Sequence, residues 1–131
     1  METWMRGMAF APSTEGSSSA SGFNGVWRNA LNSTMTLTVN GAKVEGTYES
    51  PVSTGGGPAR GEVSGFVHGD HISFVVNWAT GSLTAWVGQR VTENGAEVIQ
   101  TLWQMIGPPS PGESAAEAWK SIMSGTDRFR R

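Results

Sequence analysis

Two neighbouring apolar runs carry Phe74, Val76 and Trp78, then Ser82, Thr84 and Trp86, at positions of one parity. Side chains two apart in a strand share a face, so these rings and hydroxyls point the same way. A face that served only as core would avoid hydroxyls, because a buried one without a partner costs about 1–3 kcal/mol. The chemistry such a face is suited to is recognition of a guest that brings hydrogen-bonding partners. The same parity reading groups Trp27, Asn29 and Leu31, then Ser33, Met35 and Leu37. It sets Val44, Gly46, Tyr48 and Ser50 against Lys43, Glu45, Thr47 and Glu49, whose charges belong in water. In the run 96–106 the face of Ile99, Thr101, Trp103 and Met105 is taken as inner, because the opposite face carries Gln100 and Gln104. The last run places Met123, Gly125, Asp127 and Phe129 together. The inner face then joins Tyr48, Trp78, Trp86 and Trp103 to Asn29, Ser33, Ser50, Ser82, Thr84 and Asp127, an aromatic box with convergent polar groups. Any one of these hydroxyls alone reads as an ordinary strand residue near a rim; together they read as a pocket.

Other chemistries fit less well. His68 and His71 flank the Gly69-Asp70 turn, at the end expected to lie away from the polar cluster. No nucleophile–base pair with the pocket serines follows, and two turn histidines are weak grounds for a metal. The chain is therefore not read as an enzyme, and no cofactor or metal is expected. With nine Lys and Arg against eleven Asp and Glu, it lacks the clustered basic face of a nucleic-acid binder. The absence of cysteine removes disulfides and thiolate chemistry without deciding the compartment. No run approaches the roughly 20 apolar residues of a membrane helix, and Met1–Phe10 has no continuous apolar stretch of the signal-peptide kind. A lipocalin-like carrier of another small ligand, or a barrel interaction module with a vestigial pocket, are the alternatives. A carrier of apolar guests would have no use for so many converging polar groups.

The elements that must position these side chains are strands. Eighteen glycines, six tryptophans and many Val and Thr favour strands and tight turns over helices. Strand-like segments lie near 24–31, 33–40, 43–50, 61–68, 71–78, 82–90, 96–106 and 117–129, with hairpin signals at Asn40-Gly41, Gly69-Asp70, Ala79-Thr80-Gly81 and Asn94-Gly95. Eight strands in simple succession close most readily into an antiparallel up-and-down β-barrel, which removes exposed edges and holds one small ligand at an open end. Pro51–Arg60 and Gly107–Ser114 read as long loops, and a helical turn capped by Ser114 is expected before the last strand. Residues 1–22, small and Ser-rich, read as a mobile tail ahead of one domain over 23–131.

The segments Gly25-Val26-Trp27-Arg28-Asn29, Gly46-Thr47-Tyr48-Glu49-Ser50, Trp86-Val87-Gly88-Gln89 and Ala118-Trp119-Lys120-Ser121 through Asp127-Arg128-Phe129 resemble the avidin and streptavidin family of biotin-binding proteins. The resemblance covers about 24–130. It implies that a ureido oxygen accepts hydrogen bonds from Asn29, Ser33 and Tyr48, while ureido N–H groups donate to Ser50 and Asp127. It implies that Thr84 meets the thioether sulfur, and that Ser82 and the backbone near Ser53 and Thr54 meet the carboxylate. Trp78, Trp86 and Trp103 would wall the apolar part, with Leu31, Val52 and Met105 filling gaps; Met105 stands where better-known members carry leucine. Trp119 would reach the ligand from a neighbouring subunit, implying a homotetramer built as a dimer of dimers, with a homodimer as the alternative. A secreted protein that sequesters biotin is the role the family suggests. The loop with Pro51 and Gly55-Gly56-Gly57 departs from the family and leaves loop closure open.

Overall fold

Alternation of buried and exposed residues runs through eight strands: β1 Gly25–Arg28, β2 Thr34–Asn40, β3 Lys43–Ser50, β4 Ala59–His68, β5 His71–Trp78, β6 Leu83–Glu93, β7 Ala96–Ile106 and β8 Ile122–Arg130. They form one closed barrel in chain order, each strand antiparallel to the next and β8 returning to β1. The computed structural model describes residues 20–51, 57–107 and 122–131. The expected helical turn near Ser114, the start of the last strand and the proposed tail up to residue 19 lie outside the described residues.

Hairpin geometry follows the turn residues. Asn94 and Gly95 both take positive φ, 50° and 80°, as a two-residue turn matched to strand twist requires. The first strand ends three residues earlier than expected, for a local reason. Asn29 Oδ1 accepts from the backbone N–H of Leu31 at 3.0 Å and of Ser33 at 2.9 Å, and Asn32 adopts φ 64°. The side chain thus replaces the ladder with a turn. Leu31, expected on the inner face, is consequently 77% exposed and lines no part of the interior.

The interior has two ends. At the end of the 41–42, 69–70 and 94–95 turns, a short 3₁₀ turn, Ser21–Phe23, plugs the barrel with Phe23 fully buried. Trp27 Nε1 donates to the Phe23 carbonyl at 2.9 Å. Arg131 lies over the Trp27 ring at 4.1 Å and Arg90 over Phe23 at 5.7 Å. Arg90 also pairs with Asp70 at 2.9 Å and Glu97 at 2.8 Å, and Arg131 with Glu97 at 2.6 Å. The Arg131 hydrogen bond, outweighing slight desolvation, holds the Glu97 carboxyl below its usual range. Ala20–Gly22, assigned to the tail on composition, belong to this plug: Ala20 is 2% exposed, and a side chain on Gly22 would collide with the Arg90 guanidinium. A floor of Trp27, Met35, Val44, Phe74, Ile99 and Phe129 follows. The opposite end is the mouth.

Candidate functional site

The polar groups singled out in the sequence meet near the mouth. Because Asn29 Oδ1 is occupied by two backbone N–H groups, its Nδ2 is the atom turned inward. Nδ2 donates to Asp127 Oδ2 at 2.8 Å and stands 3.4 Å from the Tyr48 hydroxyl. Asp127, on β8, receives the Arg128 N–H at 2.9 Å on its other oxygen. Both carboxylate oxygens keep lone-pair capacity for a further donor. The Ser33 and Ser50 hydroxyls stand 3.3 Å apart just beyond the Thr34–Glu49 rung of β2 and β3, so either can donate to the other.

Tyr48 is 3% exposed. Burial pushes its hydroxyl well above the ordinary phenol value of 10.0; a hydrogen bond from Ser33 works against the shift and the Asp127 charge adds to it. The phenol, neutral at ordinary pH even without burial, stays an O–H donor to still higher pH. Tyr48, Asn29 and Ser33 present donors beside the Asp127 acceptor, a complementary pair of edges.

An aromatic wall adjoins them. Tyr48 meets Trp78 edge-on at 5.2 Å and stacks on Trp86 at 5.6 Å; Trp86 continues to Phe74 at 5.5 Å, Phe129 at 5.4 Å and Trp103 at 6.2 Å. Trp86 pairs with Trp103 directly across β6–β7. Trp103 lies against Gly125, where a Cβ would stand 2.6 Å from the ring. Trp78 Nε1 donates to Thr84 Oγ1 at 2.8 Å, which leaves the Thr84 hydroxyl proton for another acceptor. The buried indole N–H of Trp86 meets no acceptor among the described residues. A buried donor left so is rare in folded proteins.

Of the residues chosen from the sequence, the structure brings together Asn29, Ser33, Tyr48, Ser50, Trp78, Thr84, Trp86, Trp103 and Asp127. Ser82 and Met105 are half-buried toward the mouth, Met105 opposite Thr84. Leu31 is not brought in. Val52, Ser53, Thr54 and Trp119 lie outside the described residues. The sequence reading missed Thr101, whose buried hydroxyl donates to the Asp127 carbonyl at 2.9 Å; its place on the Trp103 face was the available signal. His68 and His71 pair with each other at the plugged end, remote from the pocket serines.

The model of the Avidin family matches residues 17–131, nearly the whole chain. The chain belongs to the avidin family. Its barrel is similar to that of xenavidin at 28% identity, covering 83% of this chain and 96% of that one with a TM-score of 0.69. A biotin-binding protein from chicken is similar at 25% identity, over 86% of this chain and 98% of that one, TM-score 0.70. A rhizavidin–biotin complex is similar at 26% identity, over 90% and 95%, TM-score 0.68. The avidin family is a family of binding proteins and not of enzymes, and its members use no cofactor. The resemblance noted from four segments thus extends to the family and the eight-stranded barrel.

Proposed function

We propose that this avidin-family protein binds biotin non-covalently in the barrel mouth. The observation that carries this reading is the meeting of Asn29 Nδ2, the neutral Tyr48 hydroxyl and the Asp127 carboxylate beside a wall of three tryptophans. A cyclic urea has one acceptor oxygen and two N–H donors. Its oxygen takes hydrogen bonds from Asn29, Ser33 and Tyr48, and its N–H groups donate to Ser50 and Asp127. The Asp127 carboxylate draws on one N–H and moves electron density toward the urea oxygen, where the three donors strengthen in turn. The second Nδ2 proton of Asn29, near Tyr48 only at 3.4 Å, is the one given to the ligand. Thr84 donates to the thioether sulfur, Ser82 and the backbone of Ser53 and Thr54 hold the carboxylate, and Trp78, Trp86, Trp103, Val52 and Met105 cover the apolar part.

The proposal extends to assembly. The outer face of β5–β7 carries no Asp, Glu, Lys or Arg between His71 and Gln89 or between Gln100 and Ile106, whereas that of β3 and β4 carries Lys43, Glu45, Glu49, Arg60 and Glu62. Val87 and Leu102, cross-strand partners 55% and 59% exposed, sit in a groove of about 650 Å³ on it that Arg128 and Asp127 of β8 border. An uncharged, half-apolar sheet face of this kind suits a second copy of the chain. A homotetramer with Trp119 closing the neighbour's ligand is proposed, a homodimer being the alternative, and biotin sequestration outside the cell as the role.

Biotin at saturation should raise the unfolding temperature strongly, since a ligand of the folded state alone stabilises it by mass action. An unchanged transition in well-folded protein would remove the biotin reading.

A further inference from the structure

Asp127 sits at the weakest point of the barrel. β1 meets β8 in a single rung, Arg28 opposite Arg130, and β1 gives way to the Asn29 turn before it draws level with Asp127. At Asp127 the main chain of β8 therefore has a strand partner on one side, β7, where it faces Thr101. Among the described residues, the carboxylate is tied across the open side by Asn29 Nδ2 alone. A carboxylate that must meet one ligand N–H needs its main chain held as firmly as its head.

Thr101 supplies that hold. It is 5% exposed, and its Oγ1 donates to the Asp127 carbonyl at 2.9 Å. Its direction is set from the other neighbour. Gly88 lies opposite Thr101 on β6, and a Cβ there would stand 2.8 Å from Thr101 Cγ2 and 2.3 Å from the Gln100 carbonyl oxygen. The Thr101 methyl thus occupies the notch that Gly88 leaves empty. A β-branched side chain with its methyl so seated has little χ1 freedom, and its hydroxyl is committed to β8. We infer that Thr101, seated against Gly88, is a positioning residue that fastens the β8 main chain beneath Asp127 and so keeps the carboxylate in register with the ligand. The affinity consequence rests on the biotin reading; the main-chain consequence does not.

Two variants separate the hydroxyl from the methyl. Thr101→Val keeps the methyl in the notch and removes the donor, and should weaken biotin binding by about fivefold, the value of one neutral hydrogen bond, through faster dissociation. Thr101→Ser keeps the donor but loses the methyl that seats it, and should fall between Thr101→Val and the parent. In an Asp127→Ala background, Thr101→Val should add less than about twofold, because no carboxylate remains to be misplaced. Without biotin, the amides of Asp127 and Arg128 should exchange faster in Thr101→Val than in Thr101→Ser. Parent-like affinity in Thr101→Val, affinity in Thr101→Ser no better than in Thr101→Val, or an undiminished loss in the Asp127→Ala background would overturn the inference. Should the parent protein bind no biotin, the biotin reading fails by itself, and equal amide exchange in the two variants would then decide against Thr101. If Thr101→Val does not fold, Thr101→Ala against Thr101→Ser carries the same contrast.

Discussion

Replacing Asp127 by alanine tests the polarised-urea scheme directly, and the structure sets what to expect. Asp127 accepts two hydrogen bonds within the protein, from Asn29 Nδ2 at 2.8 Å and from its neighbour's N–H at 2.9 Å, and keeps capacity for a ligand donor. A hydrogen bond to a charged acceptor contributes about 1.5–3 kcal/mol, which corresponds to roughly 10- to 150-fold in affinity. The loss also reaches the opposite edge of the urea, since an unpolarised oxygen accepts less strongly from Asn29, Ser33 and Tyr48. Thr84→Ala removes one neutral contact to sulfur, about 1 kcal/mol or fivefold. It also leaves the Trp78 indole N–H without its Thr84 acceptor, a penalty moderated by the partial exposure of Trp78. Asp127→Ala should therefore exceed Thr84→Ala by about two- to thirtyfold from the direct contact, with the lost polarisation adding to it, and Asp127→Asn, which keeps an acceptor but no charge, should fall between them. Competition calorimetry with biotin, supported by dissociation rates of a labelled biotin, measures all three. Equal losses for Asp127→Ala and Thr84→Ala, with both variants folded, would refute the scheme.

Other outcomes follow from the same geometry. Tyr48 is the one tyrosine of the chain, so tyrosinate absorbance reports it alone. Its folded value is raised above 10.0, so stability should be flat below about that pH and fall above it, as the unfolded chain releases a proton the native state retains. Tyr48→Phe should abolish that fall, and a tyrosinate band rising with its midpoint near about pH 10 in still-folded protein would contradict the burial account. Arg90→Met should lower stability by about 1–2 kcal/mol in urea titrations, having removed a largely buried guanidinium from Asp70, Glu97 and Phe23, while leaving biotin affinity unchanged at the far end of the barrel. Leu102→Glu, placing a charge on the apolar part of the β5–β7 face, should shift the mass in solution toward a single chain. Retention of the larger assembly would move the interface elsewhere.

Parity carried most of the site. Tyr48, Trp86, Trp103 and Asp127 lie on stretches of strand over which side chains alternate, so a face assigned at one residue serves its neighbours, although toward the plugged end of β7 the alternation lapses and Val98 and Ile99 are both buried. It failed at Leu31 because periodicity presumes that the strand continues. Asn29 ends β1 by taking two backbone N–H groups for its own side chain, and the competition between that capture and the ladder has no signature in a hydrophobic pattern. Composition likewise misled at Ala20–Gly22, where small residues suit close packing against Arg90 as well as they suit a linker.

The sequence by itself determined the class of fold, the succession of hairpins and the residue types of the pocket, because turn chemistry and alternation are local properties. Tertiary structure alone decided which amide atom of Asn29 faces inward, that burial raises the Tyr48 hydroxyl above its ordinary value, and that Thr101 fastens the chain under Asp127. Those depend on distances between residues as far apart as 29 and 127, which barrel closure sets and no stretch of chain contains.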